Sequence, residues 1–206
     1  MSRFARFHGE RDQCPGCGSL MRHRALLLLL RDRFDLPGRG GRVLHVGPAR
    51  AVAAWLERRE ALEYVSADLD SPIAKVHADA TDLPFDDESF DFAICVHVLE
   101  HIPEDRKALG EFFRVLKPGG QAIFQVPPSD LETTREDPTV TDPHERERLF
   151  GQYDHVRLCG ADYPERIAAA GFQVAREDIV AELDAEVRRR HGLRTGEPFD
   201  LCFKPR

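Results

Sequence analysis

Long apolar runs are missing from this 206-residue sequence. The Ala and Leu residues at 25–30, held between Arg24 and Arg31, are as long as such runs become, whereas a bilayer span needs about 20 apolar residues. A membrane helix is therefore excluded. A secretory signal is missing too, because Arg3, Arg6, Glu10, Arg11 and Asp12 stand where a continuous apolar segment is required, and the expected location is the cytoplasm. Positive charge is not in excess: 29 Lys and Arg face 36 Asp and Glu, a net charge of −7. That balance argues against a protein gripping a long nucleic-acid backbone through counterion release. Cysteine is scarce and odd in number, with Cys14, Cys17, Cys95, Cys159 and Cys202, so a disulfide scaffold is not expected. Glycine is sparse where phosphate binders need it. Neither the G-x-G-x-x-G of a dinucleotide site nor the G-x-x-x-x-G-K-[ST] of a phosphate-binding loop occurs.

What remains is 42% hydrophobic residues arranged in alternating segments, enough to offset the ordering entropy of one domain. Residues 42–46, 62–67, 73–77, 90–96 and 121–126 read as strands. Between them, 48–60 and 104–116 carry apolar residues at helical spacing, and Ser19 opens an earlier helix with Leu20, Ala25, Leu26, Leu29 and Leu30 on one face. Strands alternating with helices of this length imply a doubly wound α/β fold, its mostly parallel sheet covered on both faces. Residues 127–160 are rich in Pro, Thr, Asp and Glu and too long for an ordinary connection, which suits a substrate lid. A helix at 163–170, a strand at 172–176, a helix around 179–190 and a strand at 199–203 complete the pattern. Residues 1–36 form a Cys-containing helical cap, and 37–206 the domain proper.

In such sheets ligands bind beyond the carboxyl ends of the strands. The loop after the first of these strands is His45-Val46-Gly47-Pro48-Ala49-Arg50-Ala51, with one glycine only. Asp68 ends the next strand about twenty residues later, where a carboxylate accepts hydrogen bonds from ribose hydroxyls. A nucleoside without a pyrophosphate fits that pair of facts; so does a plain turn, since Asp68 and Asp70 precede Pro72. Asp79 follows the third strand, where it can accept a proton from an adenine amino group or merely face solvent.

These segments carry a resemblance. Residues 43–47 and 64–70, the run Asp79-Ala80-Thr81-Asp82-Leu83-Pro84-Phe85 with Ser89-Phe90-Asp91, the segment Val98-Leu99-Glu100-His101-Ile102-Pro103, and Arg114-Val115-Leu116-Lys117-Pro118-Gly119-Gly120 together resemble class I S-adenosylmethionine-dependent methyltransferases. The resemblance implies a seven-stranded Rossmann-like sheet with an N-terminal helical extension. It also implies S-adenosylmethionine as cofactor: His45, Gly47 and Pro48 beside the methionine part, Asp68 and Leu69 at the ribose, Asp79 and Ala80 at the adenine, and His97 facing the cofactor. The family commonly has an acid where His45 stands and further glycines at Ala49 and Ala51. The string Cys14-Pro15-Gly16-Cys17-Gly18-Ser19 with Arg22-His23-Arg24, together with residues 150–157, is similar to a bacterial subset of these enzymes.

Methyl transfer from a sulfonium is an in-line displacement governed by alignment, and a base helps when the acceptor carries a proton. His155, among Tyr153, Asp154 and Arg157, is the first choice for that base; His97 is the second. His97-Val98-Leu99-Glu100-His101 also spells the H-x-x-E-H of a zinc peptidase, but that chemistry needs both imidazoles on one helical face, and the helix starts only near Pro103. Cys14 and Cys17 make half of a zinc site, which His8, His23, His155 or Cys159 would have to complete; a redox pair and two ordinary thiols are the other readings. Arg22 and Arg24 offer an anion site or a solvated helix face. The expected function is methyl transfer to an oxygen or nitrogen of a small molecule. The alternatives are an RNA base methyltransferase, disfavoured by the acidic charge, and a catalytically silent adenosyl-binding partner subunit.

Overall fold

A computed structural model describes residues 5–7 and 10–206 of the chain. A short antiparallel ribbon, β1 (Ala5–Phe7) and β2 (Glu10–Gln13), leads into helix α1 (Met21–Leu28). One wider turn, Leu29–Arg33, continues the helix, with Phe34 N–H reaching back to the Leu29 carbonyl at 3.2 Å. After α2 (Leu36–Arg39) the sheet begins: β3 (Gly41–Val46), α3 (Arg50–Leu56), β4 (Leu62–Asp68), β5 (Val76–His77), β6 (Phe90–Val96), α4 (Asp105–Val115) and β7 (Leu116–Gln125). The chain then forms β8 (Arg135–Glu136), α5 (Pro143–Phe150), β9 (Arg157–Leu158), α6 (Tyr163–Ala168), β10 (Gln173–Glu177), α7 (Ala185–His191) and β11 (Phe199–Phe203). The sheet has seven strands in the order β10-β11-β7-β6-β3-β4-β5. β3, β4, β5, β6 and β7 run parallel, and β11 is antiparallel to both of its neighbours.

Alternation along the strands divides the apolar residues between two cores. Leu44, Ala93, Cys95, Ala122 and Phe124 join Ala108, Leu109 and Phe112 of α4 and Ile167 of α6 on one face. Val43, Phe92, Ile94 and Ile123 join Met21, Ala25 and Leu26 of α1 and Val52 and Leu56 of α3 on the other. Burial on both sides explains why Phe92–Val96 of β6 is continuously apolar. The helix of the N-terminal extension is thus packed into the sheet's own core. Among the described residues no helix is long and apolar enough to cross a membrane.

Three elements differ from their sequence reading. The run Lys117-Pro118-Gly119-Gly120 does not interrupt the chain's pairing but lies inside β7, because Gly119 N–H donates to the Lys204 carbonyl and Lys204 N–H to that of Gly120, both at 2.9 Å. The helix expected around 179–190 begins only at Ala185. Asp178 instead accepts the N–H groups of Val180 and Gly196, at 3.1 and 2.7 Å, and shapes a turn that buries Ile179 and Val180. The lid, 127–160, contains α5: Asp142 accepts from the N–H groups of His144 and Glu145, Pro143 opens the helix and Gly151 ends it in the left-handed region.

Candidate functional site

Four neighbouring parallel strands, β6, β3, β4 and β5, end on one edge of the sheet, and their carboxyl-terminal loops carry His97, Gly47, Asp68 and Asp79 in that order. The chain turns to opposite sides of β3 at this point, so the loops after β3 and β6 diverge from a common crevice. Gly47, at φ +66°, sits where those loops meet; a Cβ there would lie 2.2 Å from Val98 Cγ2. His97 takes the left-handed region without being glycine, at φ +55°, and is held by its N–H to the Gln125 carbonyl at 2.8 Å. Such strain gathers where function over-determines the backbone.

Asp68 uses one oxygen, Oδ1, to accept the N–H groups of Asp70 and Ser71 at 3.0 and 2.8 Å. Its other oxygen carries no hydrogen bond among the described residues. Beside it Leu69 is 62% exposed, a large apolar side chain left on the surface at the strand end. Asp79 is exposed and accepts the Thr81 N–H at 2.8 Å, which holds its carboxyl below the ordinary range; Ala80 behind it is buried. Pro48 is buried in the loop after β3. His45 is enclosed within β3, 1% exposed, with Nδ1 3.0 Å from the Tyr64 hydroxyl. Burial pushes its pKa down to about 3, so it stands as a neutral imidazole.

Next to His97 lies a polar cluster. The single helical turn Leu99–His101 carries Glu100, which is 1% exposed; neither carboxylate oxygen has a hydrogen bond among the described residues. Burial drives its pKa up to about 8, against the opposing charges of Arg22 and Arg157. His97 Nδ1 is 3.4 Å and His101 Nε2 3.9 Å from Glu100 Oε1, and His97 Nε2 is buried without a hydrogen bond among the described residues. The lid supplies the rest. His155 packs edge-on against His101 with ring centroids 4.7 Å apart, and its Nδ1 lies 3.1 Å from the Phe150 carbonyl. Burial lowers the pKa of both His97 and His155. Arg157 fixes this meeting: it is 2% exposed and donates to the carbonyls of Leu99, Ile102 and Pro103 at 2.7, 2.6 and 2.9 Å, while Val156 N–H donates to that of Glu100 at 3.0 Å. A cavity of about 180 Å³ adjoins the cluster, lined by Glu100, Pro127, Phe150, His155 and Cys159 among others. A larger one, about 520 Å³, lies between the start of α4 and the lid, and none of the residues expected to hold a cofactor lines it.

The sequence signal for Glu100 and His101 was the H-x-x-E-H string. Its peptidase geometry does not form, because His97 precedes the short turn and α4 begins at Asp105. Arg24 is not an anion site. It is buried and donates to the carbonyls of Ser19, His191 and Gly192 at 2.7, 2.5 and 3.1 Å, tying α1 to the end of α7. Cys17 is exposed and its thiol donates to Ser19 Oγ at 3.2 Å; the Cys17 and Gly16 N–H groups lower the pKa of Cys14. Among the described residues, His23, His155 and Cys159 do not join the Cys pair in a metal-competent group. His8, the remaining partner considered for it, lies outside the described residues.

Residues 29–124 match the methyltransferase domain family. A demethylmenaquinone methyltransferase of Clavibacter sepedonicus is 51% identical over 65 residues, 30% of this chain and 26% of that protein. A sterol 24-C-methyltransferase of Schizosaccharomyces pombe is 32% identical over 127 residues, 58% and 32% of the two chains. The matched stretches therefore span only about a quarter to a third of these relatives. Among solved structures, the 1,6-didemethyltoxoflavin-N1-methyltransferase of Burkholderia thailandensis, with bound 1,6-didemethyltoxoflavin and S-adenosylhomocysteine, superposes with a TM-score of 0.61 at 18% identity, covering 90% of this chain and 77% of that one. The [4+2]-cyclase SpnF superposes at 0.63 and 22% identity, over 88% and 81%. The seven-stranded sheet is the fold of these methyltransferases, and the cyclase shows that the fold alone does not name a reaction.

Proposed function

We propose that this protein binds S-adenosylmethionine at the carboxyl edge of β3, β4 and β5 and transfers its methyl group to an oxygen or nitrogen of a small molecule. The observation that carries the reading is the row of strand ends that puts Gly47, Asp68 and Asp79 side by side inside a segment matching a methyltransferase domain. The residues suit that cofactor. Asp68 keeps a carboxylate oxygen for the ribose, exposed Leu69 offers an apolar surface next to it, Asp79 and Ala80 flank the adenine, and Gly47 with Pro48 lines the methionine part. The absence of a pyrophosphate cradle agrees with a ligand of this kind. When bound, S-adenosylmethionine supplies an electrophilic methyl group on a sulfonium.

His97, at the end of β6, faces the cofactor, and the acceptor sits between it and the lid. Because His155 Nδ1 is engaged by the Phe150 carbonyl, Nε2 keeps its lone pair for the acceptor's proton, and a lowered pKa leaves that lone pair free at neutral pH. The described part of the 1–36 cap and the 127–160 lid cover the acceptor and exclude water. The Cys14 to Ser19 string is similar to that of a bacterial subset of such enzymes, and scarce, odd-numbered cysteines suit a reaction in the reducing cytoplasm. The acidic net charge favours a small acceptor over RNA. The test is transfer of a labelled methyl group from S-adenosylmethionine to the small-molecule fraction of a cell extract. Wild-type protein is expected to label it and His155→Ala to do so at least about 100-fold more slowly, within the range for losing a general base. Label appearing only in RNA, or in no fraction, would refute the reading.

A further inference from the structure

Glu100, His101 and His155 come from two separate segments of the chain, yet one donor atom from each lies within 4.8 Å of the other two. The wiring behind them has a direction. His101 turns Nδ1 toward Asp154 Oδ2 at 3.3 Å and Nε2 toward Glu100. His155 engages the Phe150 carbonyl through Nδ1, so its free lone pair is on Nε2. A carboxylate behind one imidazole and a backbone carbonyl behind the other is the arrangement that orients histidine ligands on a metal. Glu100 itself is 1% exposed with both oxygens lacking a hydrogen bond among the described residues, a costly condition for a buried carboxyl that a cation would relieve.

We propose that Glu100, His101 and His155 bind a divalent transition cation of the zinc and cobalt class. Two imidazoles and one carboxylate suit such ions better than magnesium or calcium, which take oxygen donors. Asp154 and Glu100 supply negative charge, facing the positive charges of Arg22 and Arg157. Three protein ligands leave coordination positions open, and the cavity lined by Glu100 and His155 is where an oxygen or nitrogen of a small molecule can take one of them. Ion binding does not rest on the methyl-transfer reading; its use for the acceptor does. In the loaded protein the His155 lone pair holds the ion, and an acceptor bound to the cation becomes acidic enough to release its proton to solvent water before the methyl group is transferred.

The test is chelator-treated full-length protein titrated with Zn²⁺ by calorimetry and with Co²⁺ by visible absorption, with S-adenosylhomocysteine binding measured in parallel. Wild type is expected to bind one ion, with a Co²⁺ spectrum free of thiolate charge-transfer bands. Glu100→Gln and His155→Ala should each lose more than about 100-fold in Zn²⁺ affinity, beyond the range for outer-shell partners, and the Cys14→Ser, Cys17→Ser double variant should lose none. Wild type that takes up neither ion, a thiolate spectrum, or affinity lost only in the cysteine variant would each overturn the proposal. The wild-type spectrum decides the ligand type even where a variant fails to fold. Zn²⁺ binding without S-adenosylhomocysteine binding would leave the site standing and refute the cofactor reading; the reverse would do the opposite.

Discussion

In the proposed site Asp68 divides its two oxygens between structure and ligand, and a pair of substitutions separates the duties. Asp68→Asn keeps an oxygen for the Asp70 and Ser71 N–H groups but loses the charge, whereas Asp68→Ala loses both. Hydrogen bonds to a charged group contribute about 1.5–3 kcal/mol. S-adenosylhomocysteine affinity measured by calorimetry should therefore fall roughly 10- to 100-fold in Asp68→Asn, with the melting temperature nearly unchanged. Equal affinity in wild type and Asp68→Asn would remove the ribose assignment. His45 makes a different prediction. With its pKa at about 3 in the folded protein against 6.5 when unfolded, the unfolded chain binds a proton between those values that the folded one refuses. Its contribution to stability is complete above about pH 6.5 and drains as the pH falls, by about 1.4 kcal/mol per unit. Between pH 7 and pH 5 urea unfolding should show wild type losing about 2 kcal/mol more than His45→Gln; identical losses would place His45 in a solvated site. That Asp68 and Asp79 stand at strand ends was legible, because each follows the short apolar stretch of its strand. Glu100 was not, since nothing in its local string announces that both oxygens are shut away from water, and that depends on a lid residue far along the chain.

At the level of elements, Arg157 is the joint between the lid and the turn that carries Glu100 and His101. It is buried, contacts three carbonyls of residues 99–103, and pairs with the buried Asp105 at 3.5 Å and the partly exposed Glu136 at 3.0 Å. Removing one partner of a buried ion pair costs about 3–5 kcal/mol. Arg157→Met should therefore lower stability by an amount of that order in denaturant unfolding, and hydrogen exchange should quicken in residues 99–103 and 156–158 before it does in β6. A variant with the wild-type melting curve would mean that the lid is not fastened there. The elements themselves were largely readable: periodicity located β3, β4, β6, α3 and α4 because each buries a face whose spacing follows its own geometry. α5 was passed over although Asp142, Pro143 and Gly151 mark its ends, because its exposed polar face lacks apolar periodicity. The turn at Asp178 was likewise hidden, since its partner Gly196 is remote in sequence.

The whole molecule is a mostly parallel sheet with a core on each face, and the proposed site lies at the edge where strand ends, N-terminal helix and lid converge. That architecture follows from alternating strands and helices, and no local string encodes the lid's place over the β6 end; buried contacts between distant segments set it. Calorimetric titration of the wild-type chain with S-adenosylhomocysteine tests the proposed cofactor site most directly. Saturable binding at one site per chain is expected, undiminished by a competing dinucleotide. An absence of heat, or displacement by a pyrophosphate-bearing ligand, would contradict the assignment of this edge.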